Sequence, residues 1–269
     1  METGLFEFNK QQMGYTKTGT GPAVVLLHGF GEDHHIFNGT VTILEKTYAV
    51  YTPDLIFTGM SQFNATTPIT NFSIEYLADS IAALIEYEKI ETCILLGHSM
   101  GGYIGLSFAD YYVNHVQGLL LLHSTTYEDN EAKKLSRMKV AEFIQEWGVS
   151  KFFESATPNL FGDAFKKTNP GTIQNLIESG LGIGQEAMIQ FVFAMRNRKA
   201  MTHLLQQSNL PVWMIAGDAD LAVPIQDSLE QIKLLPSPNS LVLKEVGHMG
   251  MLEATDQVNQ FIHQCIQSA

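Results

Sequence analysis

The stretch Ile94-Leu95-Leu96-Gly97-His98-Ser99-Met100-Gly101-Gly102 decides the fold. Its apolar run is typical of a buried strand, and a helical pattern follows from Tyr103. The G-x-S-x-G motif between them is typical of a sharp strand-to-helix turn that projects a serine hydroxyl outward. Gly97 and Gly101 stand where a Cβ would crowd that turn. Ser99 is therefore the candidate nucleophile, and the helix start offers unpaired N–H groups to a developing oxyanion.

Strands and helices alternate on both sides of this stretch. The run Ala23-Val24-Val25-Leu26-Leu27 is apolar throughout, which is typical of a strand covered on both faces. Such alternation predicts an α/β fold with a mostly parallel sheet wound on both faces. The predicted strands are 5–8, 11–16, 23–27, 48–51, 92–97, 116–122, 211–217 and 240–246, and the predicted helices are 36–46, 73–88, 101–113, 225–234 and 254–267.

The alternation is interrupted over residues 125–208, where helical patterns occur without a clear strand. We therefore predict that residues 1–124 and 209–269 form the core and that 125–208 form an inserted helical cap. All the arginines of the chain fall in this cap segment. Most charges there are expected on a solvated face, since charged side chains are rarely buried without partners.

Composition limits the classes of function. The chain has 269 residues, of which 45% are hydrophobic and 16% charged, and its formal net charge is −12. Such an acidic chain is not expected to bind nucleic acid or an anionic membrane through a general field. We find no signal-peptide pattern and no apolar run long enough for a membrane span. A cytoplasmic protein acting on a small molecule is the expectation.

A serine nucleophile needs a base and an acid that orients the base. His248 lies on a glycine-flanked loop directly after a strand, which suits a well-aimed base, whereas His203 and His263 lie in helical patterns. The acid should follow strand 211–217, where Asp218 and Asp220 are both candidates. Spacing alone does not decide between them.

The oxyanion hole requires two backbone N–H donors. One is expected from the residue after the nucleophile, which is Met100, and the other from the loop after the first long core strand, which is Phe30 in His28-Gly29-Phe30-Gly31.

Together these motifs resemble the α/β-hydrolase superfamily, in its capped serine-hydrolase branch. The resemblance covers nearly all of the core in the right order and implies the α/β-hydrolase fold. In the family pattern G-x-x-D-x-x-V-P the triad acid falls at Asp220, so the resemblance favours Asp220 over Asp218. It also implies Phe30 and Met100 as oxyanion donors. Ser99 argues against haloalkane dehalogenases and epoxide hydrolases, which have aspartate at that position.

Three functions are compatible with this resemblance. The first is a serine carboxylesterase for small to medium apolar acyl esters, with His98 and the cap aromatics Phe143 and Trp147 predicted to contact substrate. The second is a C–C bond hydrolase of dienoic keto acids, in which Arg196 or Arg198 would bind the substrate carboxylate. The third is a small-molecule receptor that retains the triad.

No metal or cofactor is implied by the sequence. His34 and His35 are adjacent and lack the spacing of a metal site. The glycine-rich run 180–184 follows no predicted strand, so it is not expected to bind a dinucleotide.

Overall fold

The structure is a computed structural model that describes residues 1–61, 69–206 and 209–268. Its strands form one eight-stranded sheet in the order β1-β2-β4-β3-β5-β6-β7-β8. This arrangement, with helices on both faces, confirms the predicted α/β class. The strands are β1 (Glu2–Phe8), β2 (Gln11–Thr18), β3 (Ala23–Leu27), β4 (Ala49–Pro53), β5 (Cys93–His98), β6 (Val116–Leu122), β7 (Val212–Gly217) and β8 (Ser240–Leu243).

Strands β3 to β8 pair parallel to one another, and β2 runs antiparallel to both of its neighbours, β1 and β4. In the register of β3, β5 and β6, Leu27 lies opposite Gly97, and Gly97 lies opposite Leu121. Leu121 in turn lies opposite Met214 of β7. The carboxyl ends of these strands therefore meet at one edge, where ligands bind in open α/β sheets.

The described helices are α1 (Asn38–Leu44), α2 (Ile74–Tyr87), α3 (Met100–Tyr111), α4 (Glu131–Ala156), α5 (Asp163–Thr168), α6 (Pro170–Gly180), α7 (Gln185–Arg196), α8 (His203–Gln206), α9 (Ile225–Ile232), α10 (Gly250–Glu253) and α11 (Thr255–Gln267). The alternation of side chains along β3 distributes them to both faces. Val25 and Leu27 pack in one apolar cluster with α2 and α3, and Val24 and Leu26 pack in a second cluster with α1 and α11. A strand covered on both faces is apolar throughout, as β3 is.

The described chain between β6 and β7 contains helices α4 to α8 and no strand. Helix α4 is broken at Gly148, which adopts a φ of 81°, and α4 packs against α7. Phe191 of α7 joins the first apolar cluster, while Met188 of the same helix joins the second. The division into a core (1–124 and 209–269) and a cap (125–208) stays a prediction, because these helices share their apolar clusters with the sheet.

Some predicted ends differ from the observed ones. The strand predicted over 240–246 ends at Leu243, because Glu245 adopts a left-handed φ of 59° that turns the chain out of the sheet. The loop predicted from Asp54 to about residue 71 is described up to Ser61 and again from 69, and residues 62–68 of it lie outside the described residues. None of the described helices is both long and apolar enough to span a membrane.

Candidate active site

Ser99 occupies a strained turn between β5 and α3. Its φ of 50° and ψ of −114° are unusual for a residue with a side chain. Such a conformation costs on the order of 1–3 kcal/mol and persists only where the surroundings enforce it. Here the Ser99 N–H donates to the carbonyl of Leu122 (3.0 Å), and the Ser124 hydroxyl donates to the Ser99 carbonyl (2.8 Å).

Close approach of backbone explains the two glycines of the motif. A Cβ on Gly97 would lie 2.3 Å from the carbonyl oxygen of Gly101, and a Cβ on Gly101 would lie 2.0 Å from the carbonyl oxygen of Leu27. Both distances are far below any van der Waals contact between these atoms. Helix α3 can therefore start against β3 and β5 only when both positions lack side chains.

His248 and Asp220 come from the loops after β8 and β7 and form a hydrogen-bonded pair. The Nδ1 of His248 lies 2.8 Å from the Oδ2 of Asp220. The other carboxylate oxygen accepts the N–H groups of Ala222 (2.8 Å) and Val223 (2.9 Å). Burial alone would raise the pKa of Asp220, but His248 and His123 hold it well below its usual range. A charged carboxylate thus fixes the imidazole, with Nε2 facing away from it.

Asp218, the alternative acid, points elsewhere. Its carboxylate accepts the backbone N–H of Glu245 and closes the turn after β8. Asp218 is exposed, whereas Asp220 is buried. Between the two candidates, only Asp220 is bonded to His248.

A second histidine shares the Asp220 carboxylate. The Nδ1 of His123, the residue after β6, lies 3.3 Å from the Oδ2 of Asp220. His123 is buried, and its Nε2 has no hydrogen-bond partner among the described residues. Burial lowers the pKa of His123 to about 4, despite the opposing effect of Asp220. His123 is therefore a neutral donor at neutral pH.

His98 lies beneath the site and does not line the cavity at Ser99, and its predicted contact with substrate stays a prediction. The ring is fully buried between two acceptors, with Nδ1 2.9 Å from Glu32 Oε2 and Nε2 3.0 Å from the His248 carbonyl. Both ring nitrogens are donors only in the charged imidazole. Burial opposes that charge, but the Glu32 carboxylate raises the pKa of His98. The pair thus anchors the backbone of His248.

A cavity of about 160 Å³ opens onto Ser99 and His248. Phe30, one predicted oxyanion donor, lines it, and Met100, the other, is the first residue of α3 and so has an N–H without an intrahelical acceptor. The side of the cavity opposite the sheet is formed by α4 and its neighbours. Its remaining lining residues are Glu32, Tyr103, Lys133, Arg137, Val140, Phe152, Phe153, Ala156, Thr157, Leu160, Met195, Ala222 and Val223.

The structure places the predicted cap contacts away from the cavity at Ser99, and their contact with substrate stays a prediction. Phe143 and Trp147 lie on the solvent side of α4, with 37% and 58% of their surface exposed. Neither they nor Arg196 and Arg198 line this cavity. Helix α7 ends at Arg196, and Arg198 beyond it is buried in an ion pair with Asp129 (2.6 Å). Arg196 and Arg198 therefore do not lie on one helix, and their directions cannot be inferred from helical spacing.

The cations that do line the cavity are Lys133 and Arg137 of α4. The sequence analysis expects most charges of the cap on a solvated face, but Lys133, Arg137 and Val140 follow the i, i+4, i+7 spacing of one helix face. This spacing is the sequence feature that could have placed Lys133 and Arg137 on the cavity side of α4. For His123, the signal was its place directly after a central strand, at the edge where Asp220 also lies. No sequence feature marks Glu32, because its partner His98 is far away along the chain.

Two groups of side chains place potential metal ligands close together. His123, Asp220 and His248 bring ligand atoms within 4.8 Å of one another, as do Asp33, His34 and His35. In the first group the nearest atoms of His248 and Asp220 are already used in their mutual hydrogen bond. In the second group the Nδ1 of His34 is hydrogen-bonded to Asp54 (2.9 Å). Neither group therefore argues for a metal-dependent site.

A mostly parallel sheet with a serine at a strand-to-helix elbow, and a His-Asp pair at the same edge, defines the class of α/β hydrolases. The profile of the alpha/beta hydrolase fold matches residues 22–255, and the chain belongs to that family.

The chain is similar to some known proteins over most of its length and to others over part of it. A thermophilic esterase from Thermogutta terrifontis is 26% identical, with a TM-score of 0.88 over 96% of this chain and 94% of its own. The 3-oxoadipate enol-lactonase 1 of Acinetobacter baylyi is 23% identical, covering 92% of this chain and 89% of the enzyme. An uncharacterized protein of Mycobacterium bovis is 32% identical over 104 residues, and that match spans 29% of its length. The esterase and the enol-lactonase are named for hydrolytic activities, whereas the Mycobacterium bovis match carries no statement of function.

Proposed function

We propose that this chain is a serine carboxylic-ester hydrolase that works through an acyl-enzyme on Ser99, His248 and Asp220. One observation carries the proposal. Ser99, held in a strained turn, and His248, held by Asp220, line the same cavity. A nucleophile, a base and an acid that orients the base are the parts that acyl transfer needs.

In the first half-reaction the Ser99 hydroxyl gives its proton to Nε2 of His248 while its oxygen attacks the ester carbonyl carbon. The N–H groups of Phe30 and Met100 stabilise the resulting oxyanion. The carbon–oxygen bond to the alcohol then breaks, and His248 returns the proton to the leaving alcohol. An acyl ester on Ser99 remains.

In the second half-reaction water attacks the acyl carbonyl and His248 accepts its proton. The bond to Ser99 breaks, the proton returns to the serine oxygen, and the acid leaves. The Asp220 carboxylate stabilises the imidazolium in both halves, since it stays charged. Two proteins similar to this chain, an esterase and an enol-lactonase, support this type of reaction.

The proposal is tested with a panel of p-nitrophenyl esters of short and medium acyl length and one dienoic keto acid. Wild type and Ser99→Ala are assayed side by side. Ester cleavage that disappears in Ser99→Ala supports the proposal. Faster cleavage of the keto acid would replace it with C–C hydrolysis, and binding of these compounds without turnover would replace it with a receptor function.

A further inference from the structure

One face of α4 brings positive charge to the catalytic cavity. Lys133, Arg137 and Val140 lie on that face and line the same cavity as Ser99 and His248. The rest of the lining is mostly apolar, with Phe152 and Leu160 among it. Two cations in a mostly apolar cavity require an explanation, because partly buried charge is costly without a partner.

Arg137 shares its partner. Its Nε lies 3.1 Å from Oδ2 of Asp129, while Arg198 lies 2.6 Å from Oδ1 of the same carboxylate. The Asp129 side chain is 1% exposed and Arg137 17% exposed. One carboxylate therefore faces two guanidinium groups. Because Arg137 bonds Asp129 through Nε, its terminal nitrogens remain the part that can donate to a further acceptor.

Among the described residues, Lys133 hydrogen-bonds a neutral partner. Its ammonium group donates to the carbonyl oxygen of Ala222 (3.0 Å), two residues after Asp220 in the acid loop. Among the residues described, none forms a carboxylate ion pair with it. Burial and the neighbouring Arg137 lower the pKa of Lys133, which Asp129 opposes. An anion bound beside Lys133 and Arg137 would relieve this repulsion.

The acid that lines the cavity does not neutralise these cations. Glu32 is buried and is paired to His98 on the sheet side of the site (2.9 Å). That pair is neutral as a unit. Lys133, Arg137 and Arg198 thus lie around the carboxylate of Asp129, and Lys133 also experiences the charge of Asp220. Three cations therefore face two carboxylates, and the α4 side of the cavity keeps an excess of positive charge.

We propose that the cavity accepts small esters whose acyl group carries a carboxylate, bound by Arg137 and Lys133 while Ser99 attacks the ester carbonyl. The inference rests on the proposed function and specifies its substrate class. The apolar lining would hold the methylene groups between the two ends. A cavity of about 160 Å³ is comparable to one of roughly 150 Å³ that holds benzene, so short half-esters of dicarboxylic acids fit best.

The test compares monomethyl glutarate with methyl glutaramate, in which a neutral amide replaces the carboxylate at nearly the same size. Release of methanol is followed for both, and the ratio of their kcat/KM values is the readout. Wild type is expected to prefer the carboxylate ester. Arg137→Met and Lys133→Met should each reduce the ratio by about 10- to 100-fold, since a hydrogen bond to a charged group has roughly that effect.

Lys139→Met is the matched control, because Lys139 lies on the same helix but is exposed. Its ratio should stay within about twofold of wild type. Thermal unfolding of all three variants is measured in parallel. If Arg137→Met and Lys133→Met lower both kcat/KM values equally, the two cations only support the fold and the inference is wrong.

The two proposals fail in different ways. Serine-dependent cleavage of p-nitrophenyl acetate without preference for the carboxylate ester, or without cleavage of either glutaric ester, overturns the substrate class and leaves the esterase proposal intact. Unchanged ester cleavage by Ser99→Ala overturns the esterase proposal itself.

Discussion

The carboxyl edge of the sheet and the inner face of α4 approach the same cavity in different ways. At the sheet edge, Ser99, Asp220 and His248 follow three parallel strands and are fixed by backbone hydrogen bonds. On α4, Lys133 and Arg137 reach in from one helix face without a motif around them. In the proposed function the sheet edge supplies the reacting groups, and in the further inference the helix face selects the substrate. Substitutions at the sheet edge should therefore lower turnover of every substrate, and substitutions on the α4 face should change the preference among substrates.

The largest effect is expected at Ser99. Ser99→Ala removes the proposed nucleophile and should lower kcat for a p-nitrophenyl ester by roughly 10⁴-fold or more. Steady-state kinetics on the folded variant, verified by circular dichroism, provide the measurement. Activity near that of wild type would place the chemistry outside the sheet edge.

The next effect separates the two aspartates of the β7 loop. Asp220→Asn should reduce kcat roughly 10³- to 10⁴-fold, because an amide holds the wrong tautomer of His248. Asp218→Asn is the matched control and should change kcat by less than about threefold, since that side chain only closes a turn. The reverse order in the kinetics of the two variants would reassign the triad acid.

A smaller effect is expected beneath the site. Glu32→Gln leaves the buried His98 without its charged partner and should lower the free energy of unfolding by about 3–5 kcal/mol. Urea denaturation at neutral pH measures it. Glu91→Gln, at an exposed position, is the control and should have little effect. Equal stability of the two variants would show that the Glu32–His98 pair does not stabilise the structure beneath His248.

The smallest effect concerns pH. The folded-state pKa of His123 is about 4 against an ordinary 6.5, so the unfolded chain binds more protons between these values. Wild type should therefore lose stability as pH falls through this range, by about 3 kcal/mol from this residue. His123→Asn should lose correspondingly less. Urea denaturation over the same range compares the slopes, and identical slopes would show that His123 is not buried in its neutral form.

The sequence predicts the residues at the sheet edge better than those on the inner face of α4. Ser99 was predicted from its motif, and the order of strands and helices placed His248 and the acid loop at the same edge. The choice of Asp220 over Asp218 needs the family resemblance, because both residues follow β7 in the sequence. They differ in their partners, since Asp218 accepts the N–H of Glu245 and Asp220 bonds His248. No motif marks the α4 face, so Arg196 and Arg198 were preferred to Lys133 and Arg137. Which cations turn inward depends on how α4 packs on α7, and that is a tertiary property.

The most direct test of the account is detection of the acyl-enzyme. Wild type and Ser99→Ala are mixed with p-nitrophenyl acetate, quenched in acid within the first turnovers, and digested for mass spectrometry. We predict one acetyl group on the peptide that contains Ser99 in wild type and none on the corresponding peptide of the variant. Hydrolysis by wild type without such an adduct, or an adduct on another residue that persists in Ser99→Ala, would contradict it.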